Sequence, residues 1–123
     1  MELCREEGIE LLLVTVPFGT PVPDEVNRQQ VANAMVDYAA QMGVPYVNLM
    51  HEVDEMGLSF ETDLADVFHL NWRGMEKLTA WLGNYLSEHY DLPDRRGEEA
   101  YAGWDTAAAE YEAYLAQNIP AQP

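Results

Sequence analysis

Two short apolar runs, residues 9–16 and 44–49, constrain the fold of this chain more than any other feature. The first run ends at Pro17 and is typical of a strand that is buried on both faces. The second run reads as another short strand. Apolar residues at helical spacing separate the two runs, and Gly43 ends that segment. A strand, a helix and a strand in this order predict a βαβ unit with two parallel strands.

Three helices are predicted from the spacing of apolar side chains. Asp24 is a plausible N-cap for the first helix, whose apolar positions are Val31, Ala34, Met35, Tyr38 and Met42. The second helix is predicted from about residue 71 to residue 90, with an apolar stripe of Met75, Leu78, Trp81 or Leu82, Tyr85 and Leu86. The last helix is predicted over residues 98–117, with one apolar face made of Tyr101, Trp104, Ala108, Tyr111 and Leu115.

Two parallel strands do not make an independent sheet, because a parallel sheet needs more strands and helices on both faces. We therefore expect this α/β chain to be the C-terminal part of a larger domain. Residues 1–97 would form a partial α/β domain, and residues 98–123 would form an amphipathic helix and a frayed tail.

The net charge of −16 over 123 residues excludes some partners. Nucleic acids and anionic membrane surfaces would be repelled. The apolar run at residues 9–16 is too short to span a bilayer, so we predict no membrane segment, and no export signal precedes it. Cys4 is the single cysteine, which excludes an internal disulfide, and we expect it to be a buried structural thiol.

Asp66 and His69 are the strongest candidates for chemistry. They lie three residues apart, after the second strand and immediately before a helix, where α/β enzymes keep their sites. In a triad, His69 would act as general base and then general acid, and Asp66 would hold its ring. The alternative is that Asp66 is a loop acceptor and His69 a surface residue. Trp72, three residues beyond His69, is predicted to line a substrate cleft.

The chain offers no obvious nucleophile to complete a triad. Ser59 does not lie in a G-x-S-x-G elbow, and Ser87 lies within the second long helix. Neither setting exposes an activated hydroxyl.

A metal site is the competing interpretation of the same region. Asp63, Asp66 and His69 recur at intervals of three, with His51, Glu52 and Asp54 upstream. Because the region is acidic throughout, such clusters arise readily, and we predict neither a metal nor a cofactor.

The segment that contains the Asp–His pair resembles the last sequence block of SGNH (GDSL-like) hydrolases. The resemblance is carried by residues 66–74 (DVFHLNWRG), 77–79 (KLT) and 82–86 (LGNYL), and it extends over roughly residues 9–105. It is strongest to bacterial cell-surface members akin to the D-alanine-transfer protein of teichoic acid assembly and to alginate-acetylation proteins. Residues 90–97, with Tyr101 and Trp104, are similar to the same subgroup.

This resemblance implies a flavodoxin-like three-layer α/β/α sandwich that ends in two helices. In that family the catalytic Ser lies in an N-terminal G-D-S block, and two middle blocks supply oxyanion donors. Carried over, Asp66 is the orienting acid and His69 the base, whereas no residue here matches the other blocks. Full-length relatives are typically extracytoplasmic and membrane-anchored.

We therefore expect a C-terminal fragment of a serine esterase or O-acyltransferase that acts on acylated polysaccharides or teichoic-acid-type polymers. A truncated gene, a split enzyme or a degenerate remnant would each leave the Ser outside this chain. The chain would then self-associate or pair with the missing N-terminal part. The alternative is a non-catalytic acidic interaction module, favoured by the charge and by the aromatic face of the last helix.

Overall fold

The computed structural model of this chain describes residues 1–19 and 28–119, and it is a mixed α/β structure. Asp24, the predicted N-cap, lies outside these residues. Within the described residues the chain forms a two-stranded parallel sheet, four α-helices and one short 3-10 helix. In chain order they are α1 (Glu2–Glu6), β1 (Leu13–Thr15), α2 (Arg28–Met42), β2 (Tyr46–Asn48), α3 (Trp72–His89), the 3-10 helix (Glu99–Tyr101) and α4 (Ala102–Asn118).

The strands pair in parallel, as the sequence predicted. Val14 lies opposite Val47 in the register. The amide of Leu13 donates to the carbonyl of Pro45 at 3.0 Å, and the amide of Leu49 donates to the carbonyl of Thr15 at 3.0 Å. Parallel pairing brings the carboxyl ends of both strands to one edge of the sheet, and the candidate site forms there.

The second strand contacts a helix and the buried core. The hydroxyl of Tyr46 donates to the Ala32 carbonyl of α2 at 3.0 Å and lies 2.7 Å from the hydroxyl oxygen of Thr15. The next residue, Val47, points to the opposite face, because side chains alternate along a strand. Val47 packs against the buried core cluster, as Leu78 and Trp81 of α3 also do. The full sandwich implied by the resemblance needs more strands than these two.

The core is small and is built largely from the segment between β2 and α3. Leu49 is fully buried, and Met56 and Leu58 are nearly so. Partly buried side chains surround these three: Val47, Val53, Phe60, Leu70, Leu78 and Trp81. The three most buried side chains of this cluster therefore come from a segment that forms none of the helices or strands given above.

The prediction for the buried face of α2 was wrong. Ala32 and Ala39 are the buried residues of this helix, whereas Val31 and Tyr38 are about half exposed. Small side chains at residues 32 and 39 let the helix approach the sheet closely enough for Tyr46 to reach the Ala32 carbonyl. The close approach of α2 to the sheet, rather than the size of the apolar side chains, therefore decides which face of α2 is buried.

The prediction that β1 is buried on both faces was also wrong. The strand spans only Leu13–Thr15, and Val14 and Val16 are 37% and 54% exposed. A two-stranded sheet covers only one edge of β1, and in the described part of the chain these valines stay at the surface. Cys4, predicted to be buried, is half-buried.

The chain divides into two compact units, Met1–Tyr85 and Leu86–Pro123. The division predicted from the sequence, between residues 97 and 98, stays a prediction. In the second unit, α4 has no buried residue, and the apolar face predicted for it is exposed except for the half-buried Leu115. Among the described residues, no helix combines the length and the apolar character that crossing a bilayer requires.

Candidate functional site

Asp66 and His69 lie on a tight loop that closes on itself. Leu64 and Leu70 form an isolated antiparallel bridge at its base. The amide of Ala65 donates to the carbonyl of His69 at 2.8 Å. The loop therefore presents residues 66–69 together at its tip.

The carboxylate of Asp66 organises this tip. Its Oδ1 accepts the backbone amides of Phe68 at 2.8 Å and His69 at 2.9 Å. These are the bonds of an Asx turn, in which a side chain replaces a backbone acceptor. Asp66 is therefore a loop acceptor, as the structural alternative predicted, but this is only part of its role.

The same carboxylate contacts the imidazole of His69. Nδ1 lies 2.9 Å from Oδ1 and 2.9 Å from Oδ2. The hydrogen bond from His69, followed by the bond from the Phe68 amide, lowers the pKa of Asp66 below its ordinary value of 3.8. An ionised carboxylate only accepts hydrogen bonds, so Nδ1 carries the proton. In the neutral ring, Nε2 is then an acceptor.

Both side chains of this pair reach solvent. The side chain of His69 is 73% exposed and that of Asp66 is 57% exposed. Within the described residues, Nε2 has no hydrogen-bond partner. The ring nitrogen that a general base would use is therefore open to a substrate or to another group.

The loop is anchored to the segment that follows β1. The amide of Gly19 donates to the carbonyl of Val67 at 2.7 Å. A Cβ on Gly19 would lie 3.1 Å from that oxygen and 3.2 Å from Cδ1 of Leu64, so a side chain there would move the two segments apart by a few tenths of an ångström. In addition, the amide of Phe18 points at Sδ of Met50 at 3.3 Å. These contacts fix the Asp66–His69 loop at the carboxyl ends of the strands.

An ion pair with a buried carboxylate lies next to the loop. Asp63 is 1% exposed, and its Oδ2 accepts from Nζ of Lys77 at 2.7 Å and from the Ser59 amide at 2.7 Å. Lys77 also donates to the carbonyl of Gly57 at 2.7 Å. Burial alone would raise the pKa of Asp63, but the bonds from Lys77, Ser59 and Thr62 outweigh it and lower the pKa below 3.8. The sequence reasoning missed this pair as a unit.

Asn71 joins the loop to α3, which begins one residue later. Its Oδ1 accepts the amides of Arg73 at 3.0 Å and Gly74 at 3.2 Å, so it is the N-cap of the helix. Its Nδ2 donates to the carbonyls of Thr62 at 2.7 Å and Leu64 at 3.3 Å. One amide side chain therefore caps the helix and also binds the backbone on both sides of Asp63. An Asn before an apolar helix was the available signal for it.

The metal interpretation does not fit this geometry. Asp63 points into its pair with Lys77, whereas Asp66 points to His69. Within residues 1–19 and 28–119, no group of three or more His, Cys, Asp and Glu side chains could hold a metal ion. Upstream, His51 lies near Asn48, with 3.5 Å between Nε2 and Nδ2.

An apolar concavity of about 340 Å³ lies beside His69. Its other walls come from the residues after β1, from the loop and from the first turns of α3: Val16, Pro17, Phe68, Leu70, Met75, Leu78 and Thr79. Trp72 is not one of its wall residues. Trp72 is half-buried as the first residue of α3, with the guanidinium of Arg73 5.3 Å from its ring centroid. A role for Trp72 in substrate binding stays a prediction.

The serines lie in other settings: the amide of Ser59 donates to Oδ2 of Asp63, and Ser87 lies within α3. The site therefore contains an imidazole that is oriented by a carboxylate. Comparisons of the chain with protein-family models, with curated proteins and with solved structures found no match.

Proposed function

We propose that this chain carries the acid–base half of an acyl-transfer site of the SGNH type, with His69 as general base and Asp66 as the carboxylate that orients it. The observation that carries the proposal is the contact of Nδ1 of His69 with both carboxylate oxygens of Asp66 at 2.9 Å. That contact fixes the tautomer in which Nε2 can take a proton.

The position of the pair supports this proposal. It lies at the carboxyl ends of two parallel strands, in a loop that is held by Gly19 on one side and Asn71 on the other. Two parallel strands joined by a helix are consistent with part of a flavodoxin-like three-layer sandwich. The apolar concavity beside His69 provides a wall that would exclude water from a bound acyl group.

The chemistry would proceed through a serine ester. A serine hydroxyl gives its proton to Nε2 of His69 while its oxygen forms a bond to the acyl carbonyl carbon. The tetrahedral intermediate collapses, the ester C–O bond breaks, and the leaving alcohol takes the proton from Nε2. Water in an esterase, or an acceptor hydroxyl in an O-acyltransferase, then attacks the acyl-serine by the same steps. Asp66 stabilises the imidazolium that forms in each half.

The serine and the oxyanion donors would come from a segment outside these 123 residues. The exposed side chain of Val16, in the wall of the concavity, and that of Val14 in β1 give such a segment an apolar surface to pack on. By the resemblance, the substrates would be acylated polysaccharides or teichoic-acid-type polymers outside the cytoplasm. A degenerate remnant would keep the loop but would have no such segment to complete it.

The coding sequence on the 5′ side of Met1 provides the first test. We expect an open reading frame, or a neighbouring gene, that encodes a G-D-S block. The segment and this chain, produced together, should react with a fluorophosphonate probe and hydrolyse p-nitrophenyl acetate. The His69→Ala variant should lose both activities, and Glu76→Gln, in an exposed residue of α3, is the matched control.

The isolated chain provides the second test. We expect it to show no p-nitrophenyl acetate turnover that depends on His69, because neither Ser59 nor Ser87 lies in the sequence setting of an activated nucleophile. Turnover that His69→Ala abolishes in the isolated chain would refute the claim that the nucleophile lies elsewhere. Full probe labelling in a combined protein that carries His69→Ala would refute the role of His69 itself.

A further inference from the structure

The helix α4 exposes an unusual amount of aromatic surface. Trp104 is 77% exposed, Tyr114 is 59% exposed and Tyr111 is 47% exposed. Exposed tryptophan side chains are uncommon on folded proteins and mark surfaces that bind a partner. The proposed acyl transfer makes no use of this helix.

Three exposed residues and the half-buried Leu115 form a regular stripe along the helix. Trp104, Ala108, Tyr111 and Leu115 follow one another in steps of four, three and four, and these four residues are named the α4 face. At about 100° per residue, Asp105 and Glu112 lie along one flank of the α4 face. An apolar stripe with a carboxylate flank is the pattern of a helix that lies in a groove of another protein.

The charge around α4 is negative throughout. Residues 97–123 contain no Lys or Arg, and they carry the carboxylates of Glu98, Glu99, Asp105, Glu110 and Glu112. The nearest cations upstream are held by local acids. Arg96 lies 2.6 Å from Asp94, and Nη1 of Arg95 lies 3.3 Å from the Glu98 carboxylate, with its guanidinium 5.4 Å from the ring of Tyr101. The α4 face is therefore an apolar surface in a negative field.

We propose that α4 is a docking helix, and that its α4 face binds an apolar groove bordered by Lys and Arg on another protein. Charge complementarity selects this occupant. A second copy of the chain carries the same charge of −16 and would be repelled, and so would an anionic membrane. The proposal is independent of Asp66 and His69 and holds whether or not the chain takes part in catalysis.

The test uses the full chain and a defined probe. The probe is a fluorescent amphipathic peptide of about 18 residues that presents Leu on one face and Lys on its flanks. Fluorescence anisotropy at low and at high salt gives its Kd. Far-UV circular dichroism checks that each variant keeps its helix content, and Trp104→Gln replaces Trp104→Ala if the latter loses helix.

The variants distinguish binding through the α4 face from binding through the overall negative charge of the chain. Trp104→Ala and Tyr111→Ala should each weaken binding about tenfold or more. Tyr114→Ala, which removes an exposed aromatic outside the stripe, should change Kd less than about twofold. The pair Asp105→Asn and Glu112→Gln should weaken binding and reduce its salt dependence, whereas the charge-matched pair Glu99→Gln and Glu110→Gln should do so much less.

Three results would overturn the proposal. In the first, both double variants of acidic residues lose the same binding affinity and Trp104→Ala loses none. The peptide would then be attracted to the acidic chain as a whole. The second is a dimer in analytical ultracentrifugation that Trp104→Ala abolishes, which would identify a second copy as the occupant. The third is salt-independent binding to phosphatidylcholine vesicles that Trp104→Ala abolishes, which would identify a lipid surface.

Discussion

Nδ1 of His69 lies 2.9 Å from each carboxylate oxygen of Asp66, and Oδ1 of the same carboxylate also accepts the backbone amide of His69 at 2.9 Å. One side chain therefore shapes the loop and orients the ring. Substitution can separate the two effects, because an Asn at residue 66 keeps one acceptor oxygen for the turn but loses the second oxygen and the charge.

Asp66→Asn should change the tautomer of His69. In the wild-type chain at neutral pH and above, we expect Nδ1 to carry the proton, because the carboxylate accepts only from a donor. In the variant, the form protonated at Nε2 should become populated. Nitrogen-15 NMR of the labelled ring distinguishes the two forms. A wild-type ring protonated mainly at Nε2 would contradict the geometry described for this loop.

Lys77→Met should destabilise the fold by about 2 kcal/mol, because it leaves the buried carboxylate of Asp63 without its cation. Urea denaturation measures the free energy of unfolding. The double variant Asp63→Asn/Lys77→Met removes the buried charge as well, and it should recover part of the loss. A loss in Lys77→Met below about 0.5 kcal/mol would show that the pair is not important for stability.

Stability should fall as the pH drops below about 4. The folded-state pKa of Asp63 lies below 3.8, so the folded state binds fewer protons than the unfolded state in this range. The stabilisation is complete above the unfolded pKa and is lost as the pH falls through the folded pKa. The pKa of Asp66 is also lowered, and a hydrogen bond from Arg96 lowers the pKa of Asp94 to about 2. Both carboxylates therefore act in the same direction, but they are exposed and solvent screens their contribution to stability.

Urea denaturation at a series of pH values checks this prediction, with Asp63→Asn as the control. The variant should show a smaller change between neutral pH and pH 3 than the wild-type chain does. An equal loss in both proteins would assign the acid sensitivity to other carboxylates.

Gly74→Ala and Gly83→Ala should have opposite effects, although both glycines lie in α3. A Cβ on Gly74 would collide with the carbonyl oxygen of Asp63, and the adjustment should cost about 1–3 kcal/mol. A Cβ on Gly83 would meet no atom within 4 Å, so alanine there should stabilise the helix by up to about 1 kcal/mol. Thermal and urea denaturation of both variants measure the difference. Similar effects of the two changes would mean that the contact with Asp63 is not tight.

Local features of this chain could be predicted from its sequence. The parallel strands, the ends of the helices and the Asp66–His69 contact depend on residues that are close in sequence or on simple alternation. Gly8 and Gly43 have φ angles of 66° and 64° and follow α1 and α2, as residues that end helices do. The contact between Asp66 and His69 could be predicted from their spacing alone, because a single turn brings the two side chains together.

Features that depend on distant packing could not be predicted in the same way. Lys77 and Asp63 are 14 residues apart, and their pairing depends on where α3 begins. The burial of Ala32 rather than Val31 depends on how closely α2 approaches the sheet. The exposure of Val14 depends on how many strands flank β1, which the residues of the strand itself do not encode.

The hydrogen bond from the Gly19 amide to the Val67 carbonyl turns one backbone proton into a reporter of the loop. That proton can exchange with deuterium only when the segment after β1 and the loop carrying His69 separate. Its exchange rate therefore measures how often the loop opens, and the measurement needs no substrate. A segment or partner that completes the site should slow this exchange by an amount that reports its binding free energy.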